Sequence, residues 1–133
     1  MKKAFSLLEL IIVVVIMGIA ASFAIPSYFK TREHALGKEA SSNLKLIAAA
    51  ERIYRMEQGT YYPPSGTESG IDNINTNLRL LIVETNWDYS ILGGVNSFTA
   101  HADRNGSGGY LDCQYSLANN DADGEPQVNG SCP

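Results

Sequence analysis

The sequence predicts an α+β fold: one long N-terminal helix, apolar in its first half and amphipathic in its second, packed on an antiparallel sheet of three to four strands. Three observations predict it. Leu10 to Ile25 carries no charged residue. Apolar residues then recur at helical spacing from Phe29 to Tyr54. Beyond residue 86, three short alternating stretches are separated by Gly-rich turns. At 133 residues the chain has room for one such unit.

The first segment reads MKKAFSLLELIIVVVIMGIAASFAIP. As a helix, Phe5 to Ile25 is roughly 31 Å long, enough for one hydrocarbon core. Lys2 and Lys3 precede it, and Glu9 lies at its edge. A buried carboxylate costs roughly 3 kcal/mol on insertion scales. A secretory signal peptide, with Ser22-Phe23-Ala24 near its cut, has no use for that acid. Nor does a plain anchor with its lysines held inside. A third reading does use it. If a peptidase cuts between Ala4 and Phe5, the new Phe5 amine lies four residues before Glu9. An axial stagger of about 6 Å then aligns one chain's carboxylate with another chain's amine. In low dielectric that attraction is strong, and an unpaired acid is penalised. Glu9 becomes a registry device for a self-assembling filament.

From Ser27 to Gln58 the pattern stays helical, with Leu36, Ala40, Leu44, Ile47, Ala50 and Tyr54 on one stripe. Lys30, Arg32, Lys38, Lys45 and Arg52 mostly take other faces, and Glu51 with Arg55 reads as a surface i,i+4 pair. Gly59 is placed to end the helix, and Pro63-Pro64 forbids continuation. Pro26 has no N–H and frees the Ser22 carbonyl, so a kink or local melting is expected there; a simple kink without use is the plainer reading.

Residues 64–86 read as irregular, with Leu78–Val83 a short helix or strand tucked under the sheet. The strand candidates are Trp87–Leu92, Phe98–Asp103 and Tyr110–Leu117, arranged as a meander. The division expected is a leader at 1–4, an apolar helix at 5–26, an amphipathic helix at 27–59 and a globular head at 60–133.

Charge is uneven. Residues 30–58 hold six Lys and Arg against four Asp and Glu, whereas from residue 60 onward nine acids face only Arg79 and Arg104. An acidic head is a poor phosphate binder, so nucleic acid is set aside as the primary ligand. If the first segment exports the rest, Cys113 and Cys132 are expected to pair, closing a loop worth roughly 3 kcal/mol.

AFSLLELIIVVVIMGIAASFAIPSYF resembles the N-terminus of type IV pilins and type II secretion pseudopilins. The resemblance is dense over residues 1–29 and looser to about residue 64. It rests on the basic leader, the cut before Phe5, Glu9, the aliphatic run, Gly18 and Pro26. That family usually has Gly before the cut; here Ala4 stands there. The resemblance implies prepilin peptidase cleavage at Ala4–Phe5, N-methylation of Phe5, and neutralisation of a neighbour's Phe5 amine by Glu9. It also implies a stretch bounded by Gly18 and Pro26 that unwinds in the filament. The Tyr62-Pro63 turn is similar to the family's turn after the long helix, and a Cys113–Cys132 loop is common among its members. The implied partners are other copies, other pilins, the peptidase and an inner-membrane assembly machine. The implied place is the bacterial inner membrane with a periplasmic head, then a pilus or pseudopilus.

Asp121, Asp123 and Glu125 alternate around Gly124, which suits the start of a calcium loop but lacks its closing acid. Calcium sites in some pseudopilins favour that reading; a solvated acidic turn is the simpler one. Asn105-Gly-Ser107 and Asn129-Gly-Ser131 match the glycosylation pattern, yet Asn-Gly is foremost a turn dipeptide. His101 and Asp103 share a strand face with no nucleophile beside them, and Tyr61, Tyr62 and Tyr89 are expected to pack the helix on the sheet. With no phosphate loop or activated nucleophile, the chain does not read as an enzyme. The rival reading is an exported or anchored binding domain, calcium-dependent in one form.

Overall fold

The computed structural model describes residues 6–106 and 110–132. The elements in order are α1 (Leu7–Gln58), β1 (Gly66–Glu68), α2 (Ile71–Leu78), β2 (Trp87–Gly93), β3 (Phe98–Arg104), β4 (Gln114–Ala118) and β5 (Gln127–Asn129). The chain divides into two compact units between Ala35 and Leu36.

In the first unit, every described residue from Ser6 to Lys30 is exposed. Its residues remain helical through Pro26. Ser22 Oγ donates to the Gly18 carbonyl at 2.9 Å, and Thr31 Oγ1 donates to the Ser27 carbonyl at 2.9 Å. Both side chains thus bond back to the preceding turn, a habit of Ser and Thr within helices.

In the second unit, the five strands form one antiparallel sheet in sequential order, β1-β2-β3-β4-β5. The helix residues Ala40, Leu44, Ile47 and Glu51 bury one stripe at spacings of three and four. Against it stand Trp87, Tyr89 and Ile91 from β2, Phe98, Ala100 and Ala102 from β3, and Leu117 from β4. Alternation along β2 and β3 puts one face of the sheet into this core, as a half-buried antiparallel sheet requires. The register pairs Tyr89 with Ala102 and Ile91 with Ala100, setting large beside small on the core face.

Helix α1 stops where the Gly59 N–H reaches the Arg55 carbonyl at 2.8 Å, with Gly59 at φ +79°. The chain then crosses β2 so closely that a side chain at Gly93 would strike the Tyr62 and Pro63 backbone. Tyr61, Tyr62 and Tyr89 are all buried, as the packing reading expected.

Several elements differ from the sequence reading. The sheet has five strands because two three-residue edges, β1 and β5, are too short to show periodicity. Residues 71–78 are helical rather than irregular; the helix starts at Gly70 without a side-chain cap and ends at Arg79 in the left-handed region. The third expected strand, β4, starts at Gln114, not Tyr110, because the Cys113 N–H turns back to the Tyr110 carbonyl at 3.1 Å. Leu111 is therefore exposed while Cys113 and Leu117 are buried. The expected Glu51–Arg55 surface pair is not formed. Glu51 is 0% exposed, and Arg55 stacks 4.7 Å over the Tyr61 ring and donates to its hydroxyl at 2.9 Å.

Candidate functional site: an uncovered apolar helix and a stapled head

The apolar run that predicts a helix also forbids that helix from standing bare in water. Leu7, Leu8, Ile11, Ile16, Met17 and Phe23 are all at least half exposed. The helix is long and apolar enough to cross a membrane. Such a surface has two stable covers, lipid or other apolar helices. Glu9 lies in the first turn of α1, exposed among these residues. A carboxylate there is favoured by the helix dipole but meets no counter-charge among the described residues, and is costly in apolar surroundings. Ala4 and Phe5, the expected processing pair, lie outside the described residues. Gly18 has open space around its missing side chain, so no packing within the described residues demands glycine there.

The head is built around the disulfide and a small set of polar anchors. Cys113 and Cys132 are bonded, with Cα atoms 4.8 Å apart. The bond ties the segment after β5 to the turn before β4, whose pairing sets Gln114 opposite Asn129. On the helix side, the Trp87 indole N–H donates to the Leu36 carbonyl at 3.0 Å and its ring meets Tyr115 edge-on at 5.4 Å. Asn43 donates to the Tyr89 hydroxyl at 2.8 Å. Burial pushes the Tyr89 phenol above its usual range, with the Asn43 bond opposing that shift.

Glu51 is the polar residue that sequence reasoning misplaced. Its Oε2 accepts the Tyr62 backbone N–H at 2.9 Å, and its Oε1 has no partner among the described residues. Burial pushes the carboxyl up to about 7, the Tyr62 bond pulling the other way. The signal was available: Glu51 continues the 40-44-47 stripe by four residues. Glu68 is the opposite case. It is held below the usual carboxylate range, chiefly by the Gly70 N–H, which donates to it at 2.8 Å.

The proposed calcium ligands are not brought together. Asp121 Oδ2 accepts the Ala118 N–H at 2.7 Å, closing its own turn. Glu125 pairs with Lys45 of α1 at 2.7 Å. Among the described residues no group of three or more His, Cys, Asp or Glu is placed to hold an ion. The residues therefore do not fit a calcium site. His101 sits opposite Ser90 and Ser116 on the outer sheet face, and Asp103 accepts from Gln114 at 2.6 Å. Asn105 donates to Asp88 at 2.5 Å, and Asn129 ends β5.

Comparison with known proteins adds to this geometry. Residues 1–25 match the family model described as the prokaryotic N-terminal methylation motif. The chain is 39% identical over 60 residues to the type IV major pilin protein PilA of Myxococcus xanthus, covering 45% of this chain and 27% of that one. It is 32% identical over 75 residues to the type II secretion system core protein G of Pectobacterium carotovorum, covering 56% and 46%. For the same-named protein of Pseudomonas aeruginosa the values are 34% over 71 residues, 53% and 48%. The chain thus spans less than half the length of these relatives. No solved structure matches it. The exposed apolar helix, the disulfide-closed sheet and the matched N-terminal motif agree: the chain carries the prokaryotic N-terminal methylation motif and, over its N-terminal half, is similar to a type IV major pilin and to type II secretion core proteins G.

Proposed function

We propose that this chain is a structural subunit, not an enzyme, that assembles into a helical type IV pilus or type II secretion pseudopilus. One observation carries the reading: an α-helix long enough to cross a bilayer exposes apolar side chains all round. Lipid covers that surface in the precursor, and helices of other copies cover it in the polymer. A leader of residues 1–4 is removed by prepilin peptidase between Ala4 and Phe5, and the new amine is methylated. Glu9 then neutralises the Phe5 amine of a neighbour, so apolar contact drives bundling and the ion pair sets its register. Gly18 and Pro26 bound the stretch that yields during bundling. Inner-membrane assembly proteins extract the subunit, and the head, periplasmic in the precursor, forms the outer surface.

Mass spectrometry of the processed chain tests this. It should begin at methylated Phe5. A chain beginning at Ile25, or keeping Met1, would instead favour an exported or anchored binding domain.

A further inference from the structure

Helix α2 and the segment after it form a groove with an unusual lining for a soluble surface. Ile71, Asp72, Leu81, Ile82, Val83 and Glu84 enclose about 480 Å³ of open space. Leu81 is 96% exposed and Val83 is 70% exposed. The segment is fixed rather than loose. Asn75 donates to the Ile82 carbonyl at 2.8 Å and accepts the Ile82 N–H at 2.9 Å, which pins Ile82 in the core. In extended chain, neighbours of an inward residue point outward, so Leu81 and Val83 are presented to solvent by construction. The rim is acidic. Glu84 also accepts the Tyr89 N–H at 2.8 Å, while exposed Asp72 has no partner among the described residues.

An apolar floor with an acidic rim suits an occupant that is apolar and basic together. Within residue 60 onward the only cations are Arg79, which bonds Glu57 at 3.2 Å, and Arg104, which donates to the Asn86 carbonyl at 2.8 Å. The first unit offers the complementary pattern. Ile25, Tyr28, Phe29 and Arg32 fall at i, i+3, i+4 and i+7, on one helix face. Tyr28 and Phe29 are 67% and 57% exposed, with ring centroids 6.1 Å apart. Arg32 makes only a long 3.8 Å contact with Glu33, and Lys30 lies alongside.

We propose that this groove receives the Ile25–Arg32 face of α1 from a second copy of the chain, Tyr28 and Phe29 covering Leu81 and Val83 while Arg32 meets Asp72. The inference rests on the filament reading and deepens it, because it gives the head a defined contact on a neighbour's helix. It also gives the aromatic pair a cover once the helix has left lipid.

The test uses the full chain in its host, with two differently tagged copies. One carries Leu81→Cys and the other Phe29→Cys, the native cysteines being already paired. Oxidation should join the two tags within sheared filaments. In parallel, Asp72→Arg or Arg32→Asp alone should lower the cross-linked yield about fivefold, as the loss and reversal of a partly exposed ion pair implies, and the two together should restore it. Normal filaments without the cross-link, or with single and double reversals alike, overturn the groove contact and leave the filament reading standing. Cross-links formed only in membranes and lost in filaments also overturn it. If the unaltered chain makes no polymer, both readings fail together.

Discussion

The Glu51 carboxylate accepts the Tyr62 N–H at 2.9 Å from inside the core, binding the middle of the helix stripe to the chain that has just turned back beneath β2. An acid so placed links the stability of the head to pH. Its carboxyl titrates near 7 when folded, against 4.5 for the ordinary group. Because the folded value is raised, the contribution is fully present below 4.5 and lost as pH climbs through 7. The total loss is about 3 kcal/mol, from the proton-linkage relation.

Urea unfolding of the full chain in detergent, followed from pH 4.5 to 8, should show that decline. Glu51→Gln keeps an oxygen to accept from Tyr62 but cannot ionise, so its stability should stay flat across the same window. Equal pH slopes for the two proteins would show that another group is responsible. Asp112 and Glu68, both held low, act only at more acidic pH and with the opposite sign.

Gly37 faces the Tyr115 hydroxyl, and a Cβ at position 37 would collide with it. Gly37→Ala is therefore expected to destabilise the head by about 1–3 kcal/mol through overpacking, despite the better helix propensity of alanine. Tyr115→Phe in the same chain removes the colliding oxygen and should recover much of the loss. Additive effects of the two changes in a double-mutant cycle would rule this contact out as the cause.

Reduction of Cys113–Cys132, which are 19 residues apart, should cost about 3 kcal/mol by the chain-entropy relation. Hydrogen exchange should then rise first at β5, whose three residues are exposed and pair only with β4. Uniform exchange across the sheet would mean that the bond supports the whole head rather than its edge.

Glu9→Ala should enter the membrane at least as well as the parent chain, since it removes a roughly 3 kcal/mol insertion penalty. Filament yield should nevertheless fall at least about tenfold, a loss of at least 1.4 kcal/mol per assembled subunit. Wild-type yields counted by electron microscopy of sheared material would contradict the registry role.

Lys45 already holds Glu125, and Asp121 closes its own turn. Melting of the full chain should therefore be the same with calcium or with chelator. A chelator-reversible rise in melting temperature would mean that the acidic turn rearranges around an ion.

Much of the fold was legible because its periodicities are long. The α1 stripe and the alternation of β2 and β3 each span enough residues for the pattern to emerge, and Gly59 marks the helix end. The elements that escaped lack local signals. Helix α2 has neither a capping side chain at its start nor a glycine at its end, and β1 and β5 are defined only by the strands they pair with. The N-terminal motif was the most legible functional feature, since an acid beside an unbroken aliphatic run is a local fact of composition. The groove was not, because nothing in Leu81-Ile82-Val83 says which of three apolar residues is held inward by Asn75.

By itself, then, the amino-acid order determined that there is a long greasy helix with one acid near its start, since hydrophobicity and helical repeat depend only on neighbours along the chain. Tertiary structure decided which charges are spent inside the head. Glu51 went under Tyr62 and Glu125 went to Lys45, because burial and pairing are set by residues 11 and 80 positions away.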